Sequence, residues 1–168
     1  AQAYGEYQRR LMLASAVDFD DLIGHTVALL QAFPDVAEYY HRRFRHVLVD
    51  EYQDTNHAQY ILIRELVGTG KDGLPPAELC VVGDPNQTIY SFTGATSDYL
   101  RNFDERYERA KVLQLTHNYR STKKIVAAAN LVVADTSSID PLTSQGDSGD
   151  DVRVLQFASV ADEAREVA

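Results

Sequence analysis

One cysteine, Cys80, is the only thiol in the 168 residues. No internal disulfide can form, and a reducing cytoplasm is the compartment that fits best. Cys80 lies in the apolar run L-C-V-V, where a buried small hydrophobe is the ordinary reading and a reactive thiol the rarer one. No stretch approaches the roughly 18 consecutive apolar residues of a membrane span, and no secretory signal is present. Basic residues are scarce: 16 Lys and Arg face 25 Asp and Glu, for a net charge of −9. That balance lacks the broad basic footprint of a non-specific DNA binder. It leaves a small contact surface, a locally basic groove, or no nucleic-acid contact. The phosphate-loop pattern G-x-x-x-x-G-K-[ST] is also missing. The G-T-G-K of Gly68–Lys71 follows a helical pattern inside a Gly- and Pro-rich loop and lacks the strand–loop–helix setting that motif requires. What remains is ordinary for a globular chain, with 45% hydrophobic and 24% charged residues. The first residue is Ala rather than Met, as in a segment of a longer protein.

The stretch around which the chain is organised is His46 to Asn56, H-V-L-V-D-E-Y-Q-D-T-N. Its apolar, β-branched start suits a short buried parallel strand. The strand ends in two adjacent carboxylates, Asp50 and Glu51, with Asp54 beyond and Thr55 or Asn56 as helix caps. Acids at the C-terminal tip of a strand stand where open α/β sheets bind ligands. Two of them suit a division of labour, one holding Mg²⁺ and the other polarising a water. A solvated turn is the competing explanation for the pair alone.

In chain order, Ala3–Ala14 is compatible with a helix, and Asp18 caps a second. Phe19, Leu22, Ile23, Val27 and Leu30 then form one apolar face. Asp20 and Asp21 fall in its first turn, where the helix dipole favours negative charge, so D-F-D-D-L has a structural explanation ahead of a catalytic one. Pro34 opens a helix to about Arg43. After the acidic turn, Ala58, Ile61, Leu62 and Leu66 mark another helical face, and residues 68–76 a surface loop. Leu79–Val82 is a second strand, running into G-D-P-N-Q-T-I-Y-S-F-T-G-A. Thr96 or Ser97 caps a short helix through Phe103, and Val112–Leu115 is a third strand leading to H-N-Y-R-S-T. Ser121 or Thr122 caps a helix with Ile125, Ala128, Ala129, Val132 and Val133 on one face. Residues 135–151 lose all periodicity and are expected to be mobile or poorly packed. Val152–Phe157 is a further strand, and a helix begins at Val160. No internal repeat is present. Strands alternating with helices indicate an α/β fold with a mainly parallel sheet.

Four segments stand in a telling order: D-F-D-D-L, V-D-E-Y-Q-D-T-N, V-V-G-D-P-N-Q-T-I-Y-S-F-T-G-A and L-T-H-N-Y-R-S-T. Together, from about Ala16 to Ala134, they resemble the central motor motifs of the UvrD/PcrA/Rep family of superfamily 1 DNA helicases, and the tail D-E-A-R-E-V-A resembles that family too. The resemblance implies a RecA-like sheet of the P-loop NTPase type, flanked by helices and incomplete here. Residues 1–116 would be the latter part of the first motor domain. Residues 117–168 would be the hinge, near Leu115 to Ser121, and the start of the second domain, with 135–151 flexible. The implied activity is ATP- and Mg²⁺-dependent translocation on single-stranded DNA, 3′ toward 5′, with duplex unwinding in DNA repair or replication.

Residue by residue, the resemblance makes Asp50, with Glu51 beside it, the Mg²⁺ site and Glu51 the base for the attacking water. Gln87 would contact γ-phosphate and water, and Arg120 would stabilise the transferring phosphoryl group. Tyr119 would stack on adenine, while Tyr90, Phe92 and Asn118 would meet DNA. Aromatic stacking tolerates any base sequence and needs little positive charge, which eases the conflict with −9. Each residue has a plainer alternative: Gln87 as a turn residue, Arg120 as a surface ion pair, Tyr119, Tyr90 and Phe92 as core. Two departures matter. Phe92-Thr93-Gly94-Ala95 stands where the family commonly has Trp-Arg-Gly-Ala, so a cationic contact is lost at Thr93. The phosphate loop is absent, so the segment alone is expected to be inactive. Competing readings are a non-catalytic helicase-like scaffold that binds DNA or protein, and the helicase subunit of a nuclease–helicase complex.

Overall fold

The computed structural model describes residues 2–89, 92, 94–107, 109–134 and 140–167. The chain forms two compact units, Ala1–Ala110 and Lys111–Ala168. In the first, helices α1 (Gln2–Leu13), α2 (Phe19–Ala32) and α3 (Pro34–Arg43) lead to strand β1 (His46–Val49), helix α4 (His57–Val67), strand β2 (Glu78–Val81) and the short helices α5 (Asp98–Arg101) and α6 (Phe103–Arg106). Local chemistry sets these boundaries. Asp18 Oδ1 accepts from the Asp21 N–H at 2.8 Å, and Asp21 returns the bond to the Asp18 N–H at 3.2 Å, a reciprocal capping box. Asn56 and Gln59 do the same for α4, both bonds at 3.0 Å. Pro34 opens α3, and His41, Arg42 and Arg43 fill its last turn, where the helix dipole favours cations.

β1 and β2 pair in parallel, with His46 opposite Glu78 and Val49 opposite Val81. Alternation then divides the two strands between faces. Val47, Val49, Leu79 and Val81 pack on a core of Tyr52, Ile63, Val67 and Tyr99, with Tyr60, Leu100 and Phe103 around it. The Tyr60 and Tyr99 rings stack at 4.4 Å, and the Arg106 guanidinium lies over both. The opposite face carries His46, Leu48, Glu78 and Cys80, all exposed. This corrects the expectation of a buried cysteine: helices cover one side of this pair, and Cys80 alternates onto the other.

Helical faces also differ from their periodicity. On α2 only Leu30 of the expected face is buried, while Phe19 and Leu22 are exposed. On α4 the core-facing residues are Ile63 and Val67, and Ala58 is exposed. An apolar stripe gives a helix a side, but the neighbour decides which edge of it is covered.

The loop 68–76 is fastened at two points. The Arg45 guanidinium donates to the Pro75 and Pro76 carbonyls and to that of His41. His41 Nδ1 lies 2.6 Å from Asp72 Oδ2, and its Nε2 2.7 Å from the Glu65 carbonyl oxygen. Both partners are acceptors, so a doubly protonated ring satisfies them at once. Burial opposes that charge most strongly, yet the bonds to Asp72 and Glu65 and their negative charges outweigh it and raise the His41 pKa. The ring holds the Asp72 carboxyl below its usual range. Gly68, at φ +79°, lies against the same ring, where a Cβ would stand 3.2 Å from Cε1.

In the second unit, β3 (His117–Asn118) pairs in parallel with β4 (Thr143–Ser144), and α7 (Lys123–Val133) and α8 (Val160–Val167) complete it. Asn130 brackets Leu142, donating to its carbonyl at 2.9 Å and accepting from its N–H at 3.0 Å. Lys123 and Lys124 N–H groups donate to the Asp147 and Ser148 carbonyls, so residues 140–151 carry these ties to the start of α7. Val126 is the buried residue of α7, whereas Ile125 and Val132 of the expected face are exposed. The strands expected at Val112–Leu115 and Val152–Phe157 do not form: both stretches are unpaired among the described residues. Their apolar composition favours extension, but a strand needs a neighbour to exchange hydrogen bonds with. The expected α/β chain with parallel pairing is present in both units. Among the described residues no helix is long and apolar enough to cross a membrane.

The His41 clamp has a defined pH window. Its contribution is complete below the ordinary imidazole range and is lost as pH rises through the raised His41 value; at the acid end it is lost as pH falls through the lowered Asp72 value. Amide exchange in residues 68–76 should therefore quicken under alkaline conditions beyond the intrinsic rate, and His41→Ala should remove that dependence. Protection unchanged across the imidazole range would contradict the clamp.

Candidate active site

The β1–β2 register brings two strand tips to one level. The Val82 N–H donates to the Val49 carbonyl, and the Tyr52 N–H to the Val82 carbonyl, each at 2.9 Å. Beyond β1 the chain turns sharply. Glu51 adopts φ 48° and ψ 42°, a left-handed conformation uncommon for a residue with a side chain, and starts the single 3₁₀ turn Tyr52–Asp54. Asp50 Oδ1 accepts the Glu51 N–H at 2.9 Å. The two carboxylates are exposed on the rim, while the turn beneath them is sealed. Tyr52 is 0% and Gln53 1% exposed. Burial pushes the Tyr52 phenol well up, so it stays neutral.

Beyond β2, Gly83 and Asp84 lead into a second 3₁₀ turn, Pro85–Gln87. Gln53 joins the two tips: its Nε2 donates to Glu51 Oε2 at 2.7 Å, and its Oε1 accepts the Asp84 N–H at 3.1 Å. Asp84 then accepts from the Asn86 N–H through Oδ1 and from Gln87 Nε2, at 2.8 Å, through Oδ2. Glu51, Gln53, Asp84 and Gln87 thus form an unbroken hydrogen-bonded line across the rim. Gly83 makes it possible, because a Cβ there would lie 2.5 Å from Gln53 Oε1 and 3.2 Å from the Gln53 backbone nitrogen.

The sequence therefore placed Asp50, Glu51 and Gln87 on strand-tip loops that the fold brings together. It missed Gln53, Gly83 and Asp84 as working parts. The available signal was an amide two residues beyond an acid, able to donate to one group and accept from another. Phe92 is 81% exposed on the first unit. Tyr90 and Thr93 lie outside the described residues. On the second unit, Tyr119 is 80% exposed, and the Arg120 side chain is exposed. Asn118 is half-buried, and its Oδ1 accepts from the Arg120 and Ser121 N–H groups at 3.0 and 2.8 Å. This is an Asx turn that shapes the Tyr119–Arg120 corner and occupies the amide oxygen.

Among the described residues no cluster of three or more His, Cys, Asp or Glu could hold a metal ion by itself. Magnesium does not ask for one: it takes one or two carboxylates and completes its shell with water and phosphate oxygens. Asp50 fits, with Oδ1 engaged by the backbone and the residue open to solvent. A cavity of about 270 Å³ between α1 and α2, lined in part by Gln8, Met12, Asp21 and His25, stands apart from these tips.

Residues 1–108 match the UvrD/REP helicase N-terminal domain. The chain belongs to that family. Among UvrD/REP relatives, it is 63% identical over 135 residues to the ATP-dependent DNA helicase UvrD1 of Mycobacterium tuberculosis, covering 80% of this chain and 18% of that protein. It is 42% identical over 169 residues to the ATP-dependent DNA helicase PcrA of Staphylococcus epidermidis, covering 99% of this chain and 22% of that protein. PcrA of Bacillus subtilis is 42% identical over 151 residues, 89% of this chain and 20% of that protein. The chain thus spans about a fifth of the length of these relatives. The UvrD/REP match includes both strand tips; Asn118, Tyr119 and Arg120 lie beyond it, within the stretch shared with the S. epidermidis PcrA.

Gly83→Ala is expected to force Gln53 and the Asp84 backbone apart and to destabilise the first unit by about 1–3 kcal/mol, the usual cost of overpacking. A denaturant titration measures it, and an unchanged midpoint would show that the tips yield freely.

Proposed function

We propose that the chain is the central part of the motor of an ATP-dependent DNA helicase with a RecA-like core, and that the β1 and β2 tips form its hydrolysis site. The observation that carries this reading is the hydrogen-bonded line from Glu51 to Gln87 across adjacent parallel strand tips. Family membership and relatives named as ATP-dependent DNA helicases support it. Bound Mg²⁺ supplies positive charge to the nucleotide phosphates, and Asp50 is the carboxylate that holds it. Glu51 accepts the proton of the attacking water, and Gln87 presents an uncharged amide to the γ-phosphate. Arg120 supplies a rigid guanidinium for the charge that develops on the transferring phosphoryl group, and Tyr119 a ring for the adenine. Residues 1–116 serve as the latter part of the first motor domain, and residues 117–168 as the hinge and start of the second.

DNA contact rests on the exposed Phe92 ring, with Tyr90 two residues before it. Stacking contributes about 1–3 kcal/mol per base without reading sequence, which suits a translocase and a chain of net charge −9. Single-stranded and duplex DNA are the proposed partners, the cytoplasm the proposed compartment, and repair or replication the proposed setting.

In the full-length protein, Glu51→Gln should leave ATP binding intact and lower turnover by on the order of 10²–10⁴-fold, the range for losing a general base. Turnover within a few-fold of the parent would overturn the assignment. The 168-residue chain contains no phosphate loop of the usual form, whose backbone amides and lysine supply much of the phosphate binding. Purified by itself, it should show no DNA-stimulated ATPase above background.

A further inference from the structure

Gln53 is a wholly buried amide at the tips, 1% exposed, and its two ends face groups of opposite demand. The Asp84 N–H can only donate, so the atom facing it at 3.1 Å must be Oε1. An ionised Glu51 can only accept, so the atom facing it at 2.7 Å must be Nε2. The orientation of the amide is therefore fixed by its partners. No other side chain of this length does both jobs: a glutamate would repel Glu51, and a methionine would strand the Asp84 N–H. The backbone is built around the same contact. The left-handed Glu51 turns the chain so that a residue two positions on reaches back to its carboxylate, and Gly83 leaves open the space that Oε1 occupies. Asp84 passes the connection on to the Gln87 amide at 2.8 Å.

We propose that Gln53 is a positioning residue for hydrolysis: it aims the Glu51 carboxylate and ties it through Asp84 to Gln87, so that what Gln87 senses is felt at Glu51. This rests on the reading of Glu51 as the base and goes beyond it by naming the link between the two tips. Holding one carboxylate oxygen on the buried amide leaves the other for water. The Gln87 N–H also donates to the Asp84 carbonyl at 2.9 Å, so a shift of the Gln87 turn toward another partner pulls on the Asp84 backbone, and with it the anchor of Gln53.

The test uses the full-length helicase with ATP and single-stranded DNA. Gln53→Glu keeps an acceptor for the Asp84 N–H and turns the other end against Glu51; Gln53→Met removes both bonds at similar size. The expected result is a kcat lower by on the order of 10- to 100-fold, the scale of a misaimed catalytic group. KM for ATP and the Kd of a non-hydrolysable analogue should stay within about threefold. Gln87→Ala should cost less in a Gln53→Met background than in the parent, a non-additivity that two independent sites do not show. A folded variant with kcat within about twofold of the parent, a matching loss of nucleotide binding, or full additivity with Gln87→Ala would overturn the proposal. Failure of both variants to fold would make Gln53 a structural residue and overturn it as well. Normal turnover in Glu51→Gln would instead remove the base itself, an outcome separate from any result at Gln53.

Discussion

Two backbone hydrogen bonds, Val82 N–H to the Val49 carbonyl and Tyr52 N–H to the Val82 carbonyl, set the level at which β1 and β2 end. Parallel strands in register release their chains side by side, so whatever follows each strand must share one rim. Here an acid pair follows one and a glycine–aspartate turn the other. The buried Gln53 amide converts that proximity into a connection. A slip of one residue in either strand would turn its core side chains to the other face and carry its tip out of reach of Gln53.

The core beneath the rim explains why the turn is held so firmly. Tyr52 is fully buried among Ile63, Val67, Tyr99 and Phe103; burying such a ring contributes about 1.5–3 kcal/mol, set against a buried hydroxyl that has no hydrogen-bond partner among the described residues. The next residue is the bridging Gln53, and the preceding one is Glu51 in its left-handed conformation. Packing of the Tyr52 ring thus holds the residue next to the left-handed Glu51 in place, an arrangement often found where a side chain must be aimed. Arg101 adds a tie from outside, donating to the Pro85 carbonyl at 3.3 Å at the start of the Gln87 turn.

Several elements were legible from residues alone because their causes are local. The Asp18 and Asn56 caps, Pro34 at the head of α3 and the Gly- and Pro-rich loop 68–76 depend on chemistry within a few residues. Cys80, Leu48, Phe19 and Ile125 were not, since their burial depends on what stands opposite them. Val112–Leu115 and Val152–Phe157 have strand composition without a strand partner among the described residues, and β3 and β4 form from His117–Asn118 and Thr143–Ser144 instead. The turn at Asn118, whose side-chain oxygen accepts the Arg120 and Ser121 N–H groups, was likewise visible only in the structure.

By itself the sequence determined the family, through ordered motifs whose residue types carry their own chemistry, and the positions of the acids, amide and guanidinium on loops that follow strands. Tertiary structure alone decided which of those loops meet. Gln53, Gly83 and Asp84 acquire their roles only when β1 lies beside β2, because a hydrogen bond spanning 31 positions of chain leaves no periodic trace in either segment.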